Sequence, residues 1–484
     1  MESNRILRIL LAVFLFLSLS SNTCLAISIP EEKEVGKKFI DMIERKQMLL
    51  YDPIASHMIN EVGRHILSFL PLQPFDYSFY VVNDDVFNAF AAPGANIFAY
   101  RGLITSLDSI DELAGIIGHE IAHAASRHVS ESIDRSKYIS IGSLAGVLAG
   151  ILVGTKSDGN AAGTLIKGSL AAGQTAMLAF TRENETEADE KGIMFLKESC
   201  FLPKGLLSGL MKIKESDYRG VESIPDYVKT HPGTGSRIAH VENIMSDYVS
   251  PKNKPACMAD LRFEMVKYRL LGLYGELEPT HAKLTRLLEK DPDNAALHYG
   301  MGLLYERKFR KSEALSHLKK ALSVNFFDPM ILLELGRFYQ ENGELQKALD
   351  VLKAVESDPV LGVMARFHEA SAYLELKDIK QAETLFNFVI EKAPLAYPAA
   401  YYNLANIMSI RNKPDLSHYY LGLFYSDTGN TKNAITHLTK AMESLSDTEK
   451  FNRAKELLEK LVKEDREERA EKEKIERNSR KPRL

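Results

Sequence analysis

The stretch Gly118 to His128 reads G-H-E-I-A-H-A-A-S-R-H and holds His119, Glu120 and His123 in the order H-E-x-x-H. On a helix, residues four apart lie one turn apart on one face, so both imidazoles can reach the same ion. Glu120 is offset by one residue. Its carboxylate can therefore hold the water that zinc activates without itself binding the metal. Zinc lowers the pKa of that water, and the carboxylate takes its proton as it attacks a carbonyl. The pattern points to zinc-assisted hydrolysis if the segment is helical. The flanks predict a helix: Ser109 and Glu112 stand in capping-box order ahead of Leu113, Ile116, Ile117 and Ile121.

A zinc site built on two His needs a third protein ligand and an open position. Phe180 to Lys197 predicts a helix that carries Glu185 and Asp189, again four apart. A Glu-rich helix by itself is ordinarily a solvated face. With the His pair upstream, Glu185 becomes the expected third ligand. Asp189, on the same face, becomes the acceptor that orients a ligand imidazole. Thr230-His231-Pro232-Gly233 reads as a loop. Its His either approaches the open metal position or a substrate oxyanion, or is an exposed loop residue.

The elements that must position these residues can be read in order. Glu31 to Met48 and Pro53 to Leu70 predict amphipathic helices, stopped by Pro71 and Pro74. Tyr77 to Val82 alternates and predicts a strand. Asn88 to Tyr100, punctuated by Pro93-Gly94, predicts two short strands around a turn. Such a strand beside a metal helix could pair with an extended peptide, or serve as a plain hairpin. Tyr138 to Thr155 is uncharged, with Gly142, Gly146, Gly150 and Gly154 on one face. Three readings fit it: a buried helix, a segment dipping into a bilayer, and a membrane span. Gly159 to Gly173 continues the Gly/Ala bias, and Pro251 to Pro255 reads as a linker.

At 484 residues the chain is long enough for more than one domain, and 45% hydrophobic with 26% charged residues is ordinary for a globular protein. A net charge of −4 offers no overall basic surface for nucleic acid. Arg5, Arg8, the apolar run Ile9 to Leu19 and Cys24-Leu25-Ala26 predict a signal peptide cleaved after Ala26. The rival readings are an uncleaved anchor and a lipoprotein lipidated at Cys24, for which Ser21-Asn22-Thr23 is a poor lead-in. An oxidising compartment would allow Cys200 and Cys257 to pair.

The second half repeats. Tyr305, Tyr339 and Tyr373 are spaced by 34 residues, as are Ala314, Ala348 and Ala382. Gly302, Gly336 and Ala370 keep that interval, and so do Leu318, Leu352 and Phe386. This is the tetratricopeptide pattern of paired helices, whose stacks expose a concave surface for peptides or partners. A degenerate unit precedes it, at Leu261 to Asn294. Another follows an 18-residue interruption, at Gly422, Tyr425, Ala434, Leu438 and Ala441. The tail from Thr448 predicts a charged helix that loses its apolar stripe past Lys463. The expected organisation is a signal peptide over 1–26, a metallopeptidase domain over 27–250, repeats over 258–442 and a charged tail over 443–484.

These residues resemble one family. H-E-I-A-H with Ser126-Arg127-His128, then Thr181-Arg182, Glu185 and Ala188-Asp189, is similar to the gluzincin metallopeptidases that include the HtpX heat-shock protease and the CAAX prenyl protease. Asn88-Ala89-Phe90, Pro93-Gly94 and Arg101-Gly102-Leu103 match the block before that family's catalytic helix. The resemblance runs from about Ile29 to Ile244. The signal peptide and repeats narrow it to the periplasmic group of beta-barrel assembly-enhancing proteases. It implies a mainly α fold with a small β-sheet, a zincin domain followed by an α-solenoid, and one zinc ion on His119, His123 and Glu185. It implies Glu120 as catalytic acid/base, Asp189 behind the ligands, and His231 in a loop that closes over the metal and holds the enzyme inactive. It implies misassembled outer-membrane proteins as substrates and the outer-membrane assembly machinery as a partner of the repeats. Thr181 stands where the family usually has Ser, and Gly115 and Gly118 loosen a helix that often carries an acidic pair. Two rival functions remain in view: a chaperone or scaffold that works through its repeats with proteolysis rarely engaged, and a membrane-embedded protease anchored by Tyr138 to Thr155.

Overall fold

The computed structural model describes residues 27–135, 180–218, 231–249, 262–394 and 396–479. The expected signal peptide, Tyr138 to Thr155 with its Gly/Ala-rich continuation, the linker at Pro251 to Pro255, Cys24, Cys257 and the basic end at Arg480 to Arg483 lie outside these residues. Among the described residues no helix is long and apolar enough to cross a membrane. The chain divides into two compact units, Met1–Leu50 with Met58–Phe263, and Tyr51–His57 with Glu264–Leu484. Grouping Tyr51–His57 with the second unit is a long-range pairing that periodicity does not encode.

The first unit is built on helices around one small sheet. Helix α1 (Ile29–Arg45) starts at a capping box between Ser28 and Glu31. Helix α2 (Pro53–Leu67), of which Met58–Leu67 belongs to this unit, is capped by Asp52 of the other unit's segment through Ile54 N at 3.1 Å and Ala55 N at 3.0 Å. Three strands follow: β1 (Ser78–Val82), β2 (Ala89–Ala92) and β3 (Asn96–Tyr100). Their order is β1-β3-β2, with β1 parallel and β2 antiparallel to β3. Tyr80 and Phe90 stack on the two sides of Phe98, at 5.0 and 4.7 Å. Phe39 of α1 meets Phe98 edge-on at 5.6 Å, which seats the helix on the sheet. The short α3 (Arg101–Ser106) leads to α4 (Ile110–Ala125), then α5 (His128–Arg135), α6 (Arg182–Glu198), α7 (Lys204–Tyr218) and α8 (Thr234–Met245).

Helix α4 is buried on every side from Glu112 to Ala124, as befits the central helix of a domain. It packs on α6, α7 and the sheet. Only half of its expected capping box forms. Ser109 Oγ accepts from Glu112 N at 3.2 Å, but the Glu112 carboxylate accepts from Asp108 N and pairs with Lys212 Nζ instead. A neighbouring cation outbids the reciprocal bond to the cap. The glycines of α4 correct another expectation, because Gly115 does not loosen the helix. A Cβ there would lie 2.6 Å from Leu206 Cα, so its absence lets α7 approach backbone to backbone. Gly192 does the same for α6, whose added Cβ would lie 3.3 Å from His119 N. Gly118 faces only ordinary 3.8 Å contacts.

The second unit is a run of antiparallel helix pairs: α9 (Phe263–Tyr274), α10 (Leu277–Lys290), α11 (Ala295–Arg307), α12 (Lys311–Val324), α13 (Pro329–Glu341), α14 (Leu345–Leu352), α15 (Gly362–Glu375) and α16 (Ile379–Lys392). It continues through α17 (Pro398–Ile410), α18 (Pro414–Asp427), α19 (Thr431–Met442) and the long tail helix α20 (Thr448–Ser479). The sequence period has a direct packing cause. A Cβ on Gly302 would meet Leu318 at 2.8 Å, and one on Gly422 would meet Leu438 at 2.6 Å. Each small residue of one helix receives the large residue of its partner. The interruption of the period is one extra helix, α17 with its turn. Inside this unit Arg269 donates to Asp52 at 3.0 Å, to Tyr299 at 2.9 Å and to Glu334, which also accepts from Arg337 at 2.6 Å. Asp52, Arg269 and Glu334 are buried and satisfy one another, as burial requires, while Arg337 is half-buried.

The two glycines of α4 give opposite expectations. Gly115→Ala forces its Cβ into the α7 backbone and should cost about 1–3 kcal/mol. Gly118→Ala should be neutral or stabilise by up to about 1 kcal/mol through helix propensity. Urea-denaturation midpoints of the two variants against wild type check both.

Candidate metal centre

Three segments converge at the centre of the first unit. Helix α4 supplies His119, Glu120 and His123, α6 supplies Glu185 and Asp189, and the turn before α8 supplies His231. All six are buried, with side chains at 0% exposure. Capping fixes α6: Thr181 and Asn184 form its reciprocal box, and Glu185 follows within the first turn. Gly233, in the left-handed region at φ 85, starts α8 and turns His231 inward.

The donor atoms of His119, His123, Glu185 and His231 all lie within 4.8 Å of one another. His119 Nε2 and His123 Nε2 are 3.0 Å apart. Glu185 Oε2 is 3.5 Å from the first, and Oε1 is 3.3 Å from the second. A tetrahedral zinc with N and O ligands at about 2.0–2.2 Å would set its ligand atoms about 3.3–3.6 Å apart. Two imidazoles and a carboxylate spaced this way, with their donor atoms turned toward one another, fit a divalent ion. His231 Nδ1 lies 3.0 Å from Glu185 Oε1 and its Nε2 lies 3.6 Å from Glu120 Oε1, so it sits at the remaining position. Neither Glu120 oxygen has a hydrogen-bond partner among the described residues, although both are buried. That is the expected condition of a carboxylate aimed at a water or substrate.

Asp189 Oδ1 lies 2.9 Å from His119 Nδ1, behind the ring. Sequence reasoning missed the group that makes this acidity bearable. Arg237, one turn into α8, donates to both Asp189 oxygens at 2.8 and 2.7 Å and pairs with Glu185 Oε2 at 2.7 Å. Nothing in T-G-S-R marks it as buried. The only signal was its place six residues past His231, in a helix the loop reading did not extend to. Phe180, stacked on His123 at 3.9 Å between ring centres, was likewise missed.

Electrostatics follow from burial. Burial raises the Glu120 carboxyl above its ordinary range, with His231 and His119 opposing. Burial would also raise Glu185 and Asp189, but His231 and Arg237 pull the first, and Arg237 and His119 the second, well below the carboxylate range. Burial and Arg237 push His119 down, yet Asp189 and Glu185 outweigh them and raise it to about 9. Cys200, just past α6, is disulfide-bonded, and its expected partner Cys257 lies outside the described residues.

The region that holds this site is similar to known proteins. Residues 54–245 match the profile of Peptidase family M48. The beta-barrel assembly-enhancing protease of Yersinia pestis is 28% identical over 383 residues, covering 77% of this chain and 75% of that protein. Its namesake from Escherichia coli K12 is 26% identical over 369 residues, covering 75% and 73%. The mitochondrial metalloendopeptidase OMA1 of Schizosaccharomyces pombe is 25% identical over 210 residues, covering 43% and 57%.

Two outcomes follow from the charge balance. Arg237→Leu strands buried carboxylates and should destabilise the metal-free protein by about 3–5 kcal/mol in denaturant, with Arg237→Lys losing less. Because the raised His119 must shed a proton to bind a cation, metal affinity should fall about tenfold per pH unit below about 9, as read by chelator competition.

Proposed function

Residues 54–245 form a peptidase family M48 domain and the protein is a metalloendopeptidase; on that premise we propose that its metal is zinc, held by His119, His123 and Glu185. The observation that carries the reading is the three-sided spacing of those donors around one point. When bound, zinc supplies Lewis-acid chemistry, acidifying a water and polarising a scissile carbonyl. Glu120 takes the proton of that water and returns it to the leaving amine, a role suited to a buried carboxylate whose affinity for protons is raised. Asp189 accepts from His119 Nδ1 and so presents Nε2 to the metal.

Strand β2 is the sheet edge that packs on α4. A peptide added along that edge in extended form would run beside α4, the helix that carries Glu120, so we read the substrate as an unfolded segment rather than a folded surface. The relatives' name, together with the expected signal peptide, supports a periplasmic enzyme that acts on misassembled outer-membrane β-barrel proteins. The helix pairs of the second unit would hold substrates or assembly partners. His231 occupies the position a substrate carbonyl must take. The arrangement described is therefore the closed one, and turnover requires the His231 turn to lift. The same contact favours the second reading, a chaperone or scaffold whose proteolysis is rarely engaged.

Glu120→Gln should keep one zinc per chain by elemental analysis and lose cleavage of casein or of an unfolded β-barrel protein by at least about 100-fold. Retained cleavage in a zinc-loaded mutant overturns the assigned role. His231→Ala should raise basal cleavage several-fold. A fall to the level of Glu120→Gln would instead make His231 part of the catalytic apparatus.

A further inference from the structure

The two histidines of α4 are supported from behind in different ways. His119 has a carboxylate, Asp189. His123 has none. Its Nδ1 lies 2.9 Å from Nδ1 of a third histidine, His128. His128 is 2% exposed and opens α5. Arg127, at φ 57, breaks the chain out of α4 and swings His128 back under the metal helix. On its far side His128 Nε2 lies 3.3 Å from Glu187 Oε2 of α6. Glu187 in turn accepts from Lys191 Nζ at 2.6 Å and Ser126 Oγ at 3.3 Å.

With a metal on His123 Nε2, one set of proton positions satisfies every contact. If His123 Nε2 faces the metal, its hydrogen sits on Nδ1. That N–H donates to His128 Nδ1, which must then be the bare nitrogen of its ring. The His128 hydrogen is forced onto Nε2, where it donates to Glu187. The opposite arrangement would put a hydrogen on His123 Nε2 and close that ring to metal. We propose that His128 and Glu187 are positioning residues for the metal site: the relay Glu187–His128–His123 locks His123 in its metal-binding tautomer, and Phe180 stacked on the ring fixes its plane. This rests on the zinc reading and adds two residues to the ligands and the acid/base named there. Glu187 is half-exposed and bonded to Lys191, so the relay runs from the protein surface to the ligand.

The test is metal affinity, with a chromophoric chelator as competitor, and the absorption spectrum of the cobalt-substituted full-length protein. His128→Phe keeps bulk and removes the acceptor. It should weaken zinc about 10–100-fold and alter the cobalt bands, with circular dichroism unchanged. His128→Asn offers an acceptor near the Nδ1 position and should recover most of the affinity. Glu187→Ala should lose about 3–10-fold, while Glu190→Gln on the same helix should lose nothing. Unchanged affinity in folded His128→Phe overturns the proposal, as does equal loss in the Phe and Asn variants, which would mean packing alone. If both His128 variants fail to fold, Glu187→Ala decides, and wild-type affinity there overturns it. Failure of the wild-type protein to bind zinc would sink the parent reading instead, so the two failures are distinguishable.

Discussion

A cluster of ionisable groups held out of water is the constraint on which the rest depends. Glu120, Glu185 and Asp189 are all buried in the first unit, and such burial is tolerable only against matching positive charge. Arg237 supplies one such charge, bridging Glu185 and Asp189. The donor set of two imidazoles and one carboxylate calls for a second, and a divalent ion meets that need. The site is therefore a condition on folding, because its charged residues are stable together and costly apart.

Bringing three acids, an arginine and four histidines together requires unusually close helix packing. Glycines of α4 and α6 provide it. Gly192 lets α6 lie against the backbone at His119, which sets Glu185 and Asp189 opposite the two rings. Gly115 admits α7 on another side. The third side is the sheet, whose strands β2 and β3 pack against α4. A helix walled in this way presents its two histidines from a closely packed support.

The second unit solves a similar packing problem by repetition. Each small residue on one helix accepts a large one from the next, and the pairing recurs down the stack. It also hides charge. Arg269, Glu334 and Asp52 satisfy one another away from water, with the half-buried Arg337 closing the network at Glu334. In both units, close apolar packing and closed ionic networks appear together.

Much of this was legible in the residues taken one stretch at a time. The H-E-x-x-H face, the partnering pair Glu185 and Asp189, the two short strands and the 34-residue period are all local patterns, because helix and strand geometry fix which neighbours share a face. The small and large repeat positions were readable for the same reason, and the structure shows them in contact. What spacing could not reveal were partners distant in sequence. Arg237 looks like any exposed arginine until α8 folds against α6, and His128 looks like a motif ornament until Arg127 turns it under His123. Glu112 was expected to bond its own cap, but Lys212 from α7 captured it. Gly115 looked like a weakness of the helix until α7 was seen pressed against it. A chain alone determines which side chains one turn can present. Only the tertiary fold decides which of them lose their water, and burial is what turns an ordinary arginine or glycine into a requirement.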